Sequence, residues 1–210
     1  MKSIIWIIGA LSSGKTSLNK GIIEIVGDGR REYFSGEENG VNYSFTRFGD
    51  ICSLGDINAS QCCGLDRVSS RLKNAGVELS LKKAFEKSDF VIVESIMSAS
   101  TWFDFLEKNC DNLFLVHIYC SFEENVRRLK KRQFSKENKG ENPTSEQYLK
   151  HVLSDANYEF IRKTRLQYKG IYSKFNNKCF SLEIDTTRTG EYLCSKQVVK
   201  FIGDKIDANT

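Results

Sequence analysis

The stretch GALSSGKT, residues 9–16, decides the fold, because its spacing is G-x-x-x-x-G-K-T, the pattern of a loop that wraps phosphate groups. Gly9 and Gly14 allow a tight turn whose backbone N–H groups approach an anion. We expect Lys15, as a solvent-facing loop lysine, to reach the β- and γ-phosphates, and the Thr16 hydroxyl to bind Mg²⁺. The sequence therefore predicts a nucleotide site made of Gly9, Ala10, Leu11, Ser12, Ser13, Gly14, Lys15, Thr16 and Ser17.

The segments on both sides of this loop agree with the motif. Residues 4–8 form a short apolar run, which is typical of a strand buried on both faces. Residues 15–26 have a helical pattern that ends before Gly27, and a helix that starts at the loop directs its positive dipole end toward the phosphates. Strand, loop and helix form the setting that a phosphate-binding loop requires.

Composition limits the classes of protein to consider. A chain of 210 residues without an evident linker is predicted to form a single domain, 1–210. No apolar run reaches the roughly 18–20 residues that cross a membrane, so no membrane partner is expected. The seven cysteines include no C-x-x-C pair, which argues against both a disulfide framework and a zinc site. We expect reduced thiols and a cytoplasmic location; the oligomeric state is left open.

The order of the remaining segments predicts the fold class. Apolar runs typical of buried strands alternate with helical patterns, and this alternation indicates an α/β protein with a parallel sheet covered on both faces. Segment 33–60 differs, since its glycines and the alternation in NYSFTRF predict a hairpin-like insertion. The strands are predicted at 4–8, 90–93, 113–119 and 179–185. Helices are predicted at 15–26, 66–88 with a break at Gly76, 101–108, 122–133, 145–175 as one long helix or two, and 190–202.

Glu94 is the first candidate outside the loop. It ends the apolar run in SDFVIVES, residues 88–95. A carboxylate at the carboxyl end of a strand beside a phosphate loop is expected to face Mg²⁺, its water or the substrate. The alternative is a strand-end glutamate that caps the next turn.

Arginines on a basic helix are the next candidates. Arg128 and Arg132 lie four residues apart and therefore on one helical face, where they are expected to stabilise transferring phosphoryl oxygens; Arg127 is expected on another face. The polar loop that follows makes 122–145 a predicted lid, although an ordinary basic helix is the alternative. Residues 121–178 contain 14 lysines and arginines against 7 acidic residues, which fits contact with phosphates, of a nucleotide or of nucleic acid, as well as a solvated surface. Asp185 and Thr186 follow the last strand and are expected beside the nucleotide base.

In this order the motifs GALSSGKT, FVIVES, FEENVRRLKKR and LEIDTT resemble the P-loop kinases, a superfamily that includes nucleotide, small-molecule and polynucleotide kinases. The resemblance covers nearly the whole chain. It implies a P-loop kinase-like five-stranded parallel sheet of order 2-3-1-4-5, with helices on both faces and nucleotide at the carboxyl ends of the strands. It also implies a phosphotransferase that uses ATP and Mg²⁺, held at Thr16 and Glu94.

The segment SLGDINASQCCGLDRVSS, residues 53–70, resembles the acceptor site of bacteriophage kinases that phosphorylate 5-hydroxymethyluracil within DNA. Gly55, Gly64 and Asp66 carry this similarity. It implies a DNA substrate, a role in DNA base hypermodification and, for a phage protein, a place in the host cytoplasm. The aromatic residues Tyr33, Phe34, Tyr43, Phe45 and Phe48 of the insertion offer stacking surfaces for a base, or form the core of the hairpin.

Phosphoryl transfer to a hydroxyl needs a carboxylate that accepts the hydroxyl proton. Asp66 is the first candidate for this base and Asp56 the second, although Asp66 before a helix is also a common N-cap. Two other functions stay open. One is a kinase of a free nucleotide or small molecule, and the other is a nucleotide-dependent switch or assembly factor; Glu94 and the lid arginines favour a kinase.

Overall fold

The protein is described here from a computed structural model, which describes residues 1–55, 73–94, 100–138 and 144–208. The described strands form one sheet of the order β2-β3-β4-β5-β1-β6-β7. Their bounds are β1 Ser3–Ile8, β2 Arg31–Glu38, β3 Val41–Phe48, β4 Ile51–Leu54, β5 Phe90–Glu94, β6 Asn112–Tyr119 and β7 Phe180–Asp185.

The sheet combines a parallel part with an antiparallel edge. Strands β4, β5, β1, β6 and β7 pair as parallel neighbours, so the predicted α/β class with a mostly parallel sheet is confirmed. The predicted number of five strands is wrong, because β2 and β3 pair antiparallel with each other and β3 with β4, which extends the sheet to seven strands. A hairpin that continues the ladder satisfies backbone groups that would otherwise lie at the edge of β4.

Helices cover both faces of the sheet, as the alternating pattern predicted. Helices α1 and α7 pack on one face, and α2, α3 and α6 pack on the other. The described helices are α1 Lys15–Val26, α2 Lys73–Phe85, α3 Ser100–Lys108, α4 Phe122–Glu137, α5 Ser145–Leu149, α6 Asp155–Phe175 and α7 Glu191–Asp207. Within these described segments, no helix has the length and apolar character that a membrane span requires.

Strand β1 shows why its sequence is apolar without interruption. Ile4, Trp6 and Ile8 join the core cluster under α2, α3 and α6, whereas Ile5 and Ile7 join the cluster under α1 and α7. Successive side chains of a strand point to opposite faces, so a central strand that is covered on both sides needs apolar residues at every position.

The parallel arrangement brings four chain segments to one edge of the sheet. The phosphate loop follows β1, Glu94 ends β5, Ser121 precedes α4 after β6, and Thr186 follows β7. Because these are all carboxyl ends of parallel strands, their polar residues meet at a common edge, which is where open α/β sheets bind ligands.

Candidate nucleotide-binding site

The phosphate loop has a backbone that only glycine accommodates at two positions. A Cβ on Gly9 would lie 2.4 Å from the Ile118 carbonyl oxygen and 2.6 Å from Ser13 Oγ. Gly14 has a φ of 102° and precedes the first turn of α1 as its N-cap. The two glycines of the motif therefore serve close packing on β6 and the left-handed turn into the helix.

Lys15 is buried, with 7% of its surface exposed, so the expectation of a solvent-facing lysine is wrong. Its ammonium donates hydrogen bonds to the carbonyl oxygens of Gly9 at 2.9 Å and Ala10 at 3.0 Å, and lies 5.9 Å from the centre of the Tyr168 ring. The loop and α6 thus enclose the lysine side chain. The positive charge of the ammonium is therefore held within the loop, where it would stabilise a bound phosphate most strongly.

Thr16 and Glu94 form the candidate metal-binding pair. The Thr16 hydroxyl donates to Glu94 Oε1 at 2.5 Å, and Glu94 is buried at the end of β5, opposite Ile7 of β1. No cluster of three His, Cys, Asp or Glu side chains occurs among the described residues. Magnesium does not need one, because it binds through one or two protein oxygens together with nucleotide phosphates and water, and a hydroxyl beside a carboxylate fits this chemistry.

Two hydroxyls of the loop fit an anion. Ser12 Oγ and Ser13 Oγ are buried and have no hydrogen-bond partner among the residues that the structure describes. Buried hydroxyls normally find a partner, and phosphate oxygens are strong acceptors. With Lys15 enclosed beside them, the loop matches the expected phosphate site.

Arg128 of α4 is joined to both the phosphate loop and the segment after β7. Its Nη1 donates to the Ser13 carbonyl at 3.0 Å, its Nη2 donates to the Thr186 carbonyl at 2.6 Å, and its Nε donates to Glu124 at 2.7 Å. The Thr186 hydroxyl donates to the same Ser13 carbonyl at 2.9 Å. Arg128 therefore connects three segments that are far apart in sequence, whereas Arg132, one turn later, is exposed.

Arg127 does not lie apart from Arg128, contrary to the prediction. Glu124 lies three residues before Arg127 and four residues before Arg128. Residues with this spacing lie on the same side of a helix, so both arginines reach the carboxylate of Glu124. The hydrogen bond from Arg127 is the main cause that lowers the pKa of Glu124. Arg127 also donates to the Tyr148 hydroxyl at 2.8 Å, which attaches α5 to α4.

A cavity of about 380 Å³ opens beside the phosphate loop, between α4 and the segment that follows β7. Thr186, which the sequence predicts to lie beside the nucleotide base, is one of the residues that line it. Asp185 instead accepts hydrogen bonds from the backbone and hydroxyl of Thr187, which lower its pKa and close the turn. The lining includes Gly14, Ser17, Leu18, Glu124, Arg127, Arg128, Thr186, Thr187, Arg188, Thr189, Gly190, Glu191 and Cys194.

Other predicted residues take no described part in this site. Asp66, Asp56 and Gly64 fall within 56–72, outside the described residues. Most rings of the predicted insertion pack against the sheet: Phe45 is buried and stacks on Phe34 at 4.8 Å. Phe48 and Tyr43 pack against the two core clusters, and Tyr33 alone of the five is exposed, at 49% of its surface.

Two buried asparagines were missed by sequence reasoning. Asn19 of α1 donates to Ser53 Oγ and to Glu94 Oε2. Asn125 of α4 donates to the Leu11 carbonyl of the phosphate loop at 2.9 Å and accepts from Arg165 at 2.8 Å. An asparagine at a buried position of an amphipathic helix was the available signal, because asparagine is a poor helix former.

Comparison with known proteins gives structural matches alone. No family model matches the chain. No curated protein matches it either. A shikimate kinase from Acinetobacter baumannii in complex with shikimate superimposes with a TM-score of 0.52 at 11% identity, covering 98% of this chain and 95% of that one. A gluconokinase from Sinorhizobium meliloti 1021 gives a TM-score of 0.52 at 11% identity, covering 99% and 94%. The chain shares the fold of these two kinases.

Proposed function

We propose that the protein is a kinase that transfers the γ-phosphate of ATP to a hydroxyl group, with Mg²⁺ as cofactor. The observation that carries this proposal is the glycine-shaped phosphate loop with Lys15 enclosed in it and the Thr16–Glu94 pair beside it. A phosphate loop, a cation and an oxygen pair for a metal are the parts that P-loop phosphotransferases use.

The residues of the chain have distinct roles in this reaction. The loop and Lys15 bind the phosphates, and the cavity beside Thr186 takes the base. Thr16 and Glu94 would hold the metal, which would supply positive charge to the phosphate oxygens. The acceptor oxygen forms a bond to the γ-phosphorus while the bond from that phosphorus to the β–γ bridging oxygen breaks, and ADP leaves. The hydroxyl proton goes to a carboxylate, for which Asp66 is our first candidate, Asp56 the second and Glu94 the third.

For the acceptor we propose 5-hydroxymethyluracil in phage DNA, which makes the reaction a step of DNA base hypermodification in the host cytoplasm. The support is the resemblance of residues 53–70 together with a set of exposed cations. Helices α4 and α6 present Lys131, Arg132, Lys136, Arg162, Lys163 and Lys169 to solvent. Exposed lysines and arginines on neighbouring helices suit the phosphate backbone of DNA.

A free nucleotide or small molecule is the second candidate acceptor, and a specific observation favours it. The aromatic rings that would have offered stacking surfaces for a DNA base are largely packed into the sheet, with Tyr33 as the exception. Proteins of this fold include a kinase whose structure holds shikimate, a small molecule. A nucleotide-dependent switch or assembly factor remains the third candidate.

The test is transfer of label from γ-³²P-ATP to a panel of acceptors. The panel contains duplex DNA with 5-hydroxymethyluracil, the same duplex with thymine, 5′-hydroxyl DNA ends, free nucleotides, and shikimate and gluconate. We expect label in the 5-hydroxymethyluracil duplex and none in its thymine counterpart. Label in a free nucleotide or a small molecule instead would establish the second candidate, and release of inorganic phosphate alone would favour the switch.

Salt dependence separates the two acceptor classes independently of turnover. If the cations of α4 and α6 bind DNA phosphates, the logarithm of DNA affinity falls with the logarithm of salt by about 0.9 per phosphate contacted. Fluorescence anisotropy with a labelled duplex, at salt concentrations from about 50 to 200 mM, measures that slope. A flat response, or the absence of binding, would turn the proposal toward a small acceptor.

A further inference from the structure

Asn19 is a polar residue on the buried side of α1. It is 1% exposed, and its neighbours Leu18, Ile22 and Ile23 are buried apolar side chains of the same helix. A leucine would suit both the helix and the core better, because asparagine is a poor helix former and a buried amide is costly unless it is hydrogen-bonded. The roles proposed above for the loop, the lysine and the cavity do not include this side chain.

The contacts of Asn19 lead to Glu94. Its Nδ2 lies 3.0 Å from Ser53 Oγ and 3.3 Å from Glu94 Oε2. An ionised carboxylate only accepts hydrogen bonds, so the nitrogen of the amide must be the atom that faces Glu94. Asn19 thereby connects α1 with the ends of β4 and β5.

Glu94 is consequently held at both of its oxygens by the same helix. The Thr16 hydroxyl donates to Oε1 at 2.5 Å, and Asn19, three residues later, donates to Oε2. Residues three apart lie on one helical face, so α1 donates two hydrogen bonds to the same carboxylate. Two donors on opposite oxygens fix the rotation of the carboxylate, and hydrogen bonds of this kind orient groups that bind metals.

The amide oxygen of Asn19, Oδ1, indicates a further contact that this side chain could make. Its Oδ1 is buried and has no hydrogen-bond partner among the described residues. An amide oxygen is an acceptor, and the water molecules that magnesium keeps when it binds a protein are donors. The amide therefore offers a donor to the metal-binding carboxylate and an acceptor to hydrated metal at the same place.

We infer that Asn19 is a positioning residue of the metal site, one that holds Glu94 in the orientation in which it binds hydrated Mg²⁺ with the nucleotide. This inference rests on the proposed function, because it assigns a role to the same site. Loss of the amide weakens binding of the metal–nucleotide pair, since Glu94 can then rotate, and leaves nucleotide binding without metal unchanged, since the loop and Lys15 are intact.

The experiment uses Asn19→Leu, which keeps the volume of the side chain and removes its polar atoms, and Asn19→Ala, which is read in the same way if the leucine variant does not fold. Mn²⁺ binding in the presence of ADP is measured by electron paramagnetic resonance, and displacement of a fluorescent ATP analogue is measured in EDTA. We expect Mn²⁺ affinity to fall by about 10–100-fold. Affinity for the metal-free nucleotide should change by less than about twofold.

Ser53→Ala is the matched control, because it removes the other acceptor of Asn19 and leaves the bond to Glu94. We expect wild-type Mn²⁺ affinity from it. Unchanged Mn²⁺ affinity in a folded Asn19 variant would overturn the inference, and so would an equal loss of metal-free nucleotide binding, which would make Asn19 a packing residue. Wild-type protein that binds Mn²⁺ and ADP but transfers no phosphate would overturn only the kinase proposal, and wild-type protein that binds no nucleotide would overturn both.

Discussion

The phosphate loop and helix α4 bring positive charge to the same edge of the sheet in different ways. In the loop, the ammonium of Lys15 is held by the carbonyl oxygens of Gly9 and Ala10, which are six and five residues away. On α4, Arg128 binds Ser13 and Thr186, which are 115 and 58 residues away. The loop therefore organises its own cation, whereas Arg128 joins distant parts of the chain and contributes to structure as well as charge.

Replacement of Lys15 should have the largest effect. We expect Lys15→Ala to abolish transfer, because charge that stabilises a transferring phosphoryl group is worth about 10³–10⁵-fold in rate. Since Lys15 is buried, Lys15→Met is the better variant: it keeps an apolar stem against Tyr168 and removes the charge. Labelled-ATP assays give the rate and circular dichroism reports the fold. A folded Lys15→Met protein with wild-type transfer would contradict the assignment of the loop.

Replacement of the candidate catalytic carboxylate should have the second-largest effect on the rate of transfer. We expect Asp66→Asn to bind ATP and acceptor normally and to lose about 10²–10⁴-fold in transfer, because an amide cannot accept the hydroxyl proton. Single-turnover rates compare it with Asp56→Asn and Glu94→Gln. Near-normal turnover of Asp66→Asn beside an inactive Asp56 or Glu94 variant would move the base to that residue. If all three turn over normally, the site described here is wrong.

Arg128 and Arg132 of α4 should differ in their effect on stability. We expect Arg128→Ala to lose about 10²–10³-fold in rate and also about 1–3 kcal/mol of stability, because it leaves the Ser13 and Thr186 carbonyl oxygens without a charged donor. Arg132→Ala should lose rate at unchanged stability, since that side chain is exposed. Urea unfolding and transfer rates are measured together.

Arg127 cannot serve as the control for this pair, because it shares Glu124 with Arg128. Arg30, which directly precedes β2, is the better choice, since it is exposed and pairs with the nearby Asp28. Arg30→Ala should leave both rate and stability near wild type. Equal stability losses in the Arg128 and Arg132 variants would contradict the distinction between a joining arginine and an exposed one.

The smallest expected effect concerns His117, away from the loop. Burial lowers its pKa below the ordinary 6.5, although the hydrogen bond from the imidazole to Glu183 opposes this. The unfolded chain therefore binds the proton more readily than the folded protein. The contribution of His117 to the free energy of unfolding is complete above about pH 6.5 and is lost as the pH falls below that value. Between pH 7.5 and 5.5 the melting temperature should fall more steeply in the wild type than in His117→Asn. Parallel curves would show that His117 has no part in the acid sensitivity.

How far the sequence predicts this molecule depends on the distance between interacting residues. The loop, its glycines and Glu94 at the end of a strand could be predicted, because each depends on a short local pattern. Strand β4 could not be predicted, since a strand of four residues between turns, one of them a serine, does not stand out within a hairpin-like segment. The burial of Lys15 depends on Tyr168, and the role of Asn19 depends on Ser53 and Glu94, so these features arise only when distant segments pack together.

One measurement tests the central claim most directly. Wild-type protein is incubated with γ-³²P-ATP, Mg²⁺ and the 5-hydroxymethyluracil duplex or the best acceptor of the panel, and labelled acceptor and labelled inorganic phosphate are counted in the same sample. A kinase predicts that most of the label lost from ATP is found on the acceptor, and that Lys15→Met yields neither product. Label found only as inorganic phosphate with every acceptor, or no loss of label from ATP at all, would contradict the account.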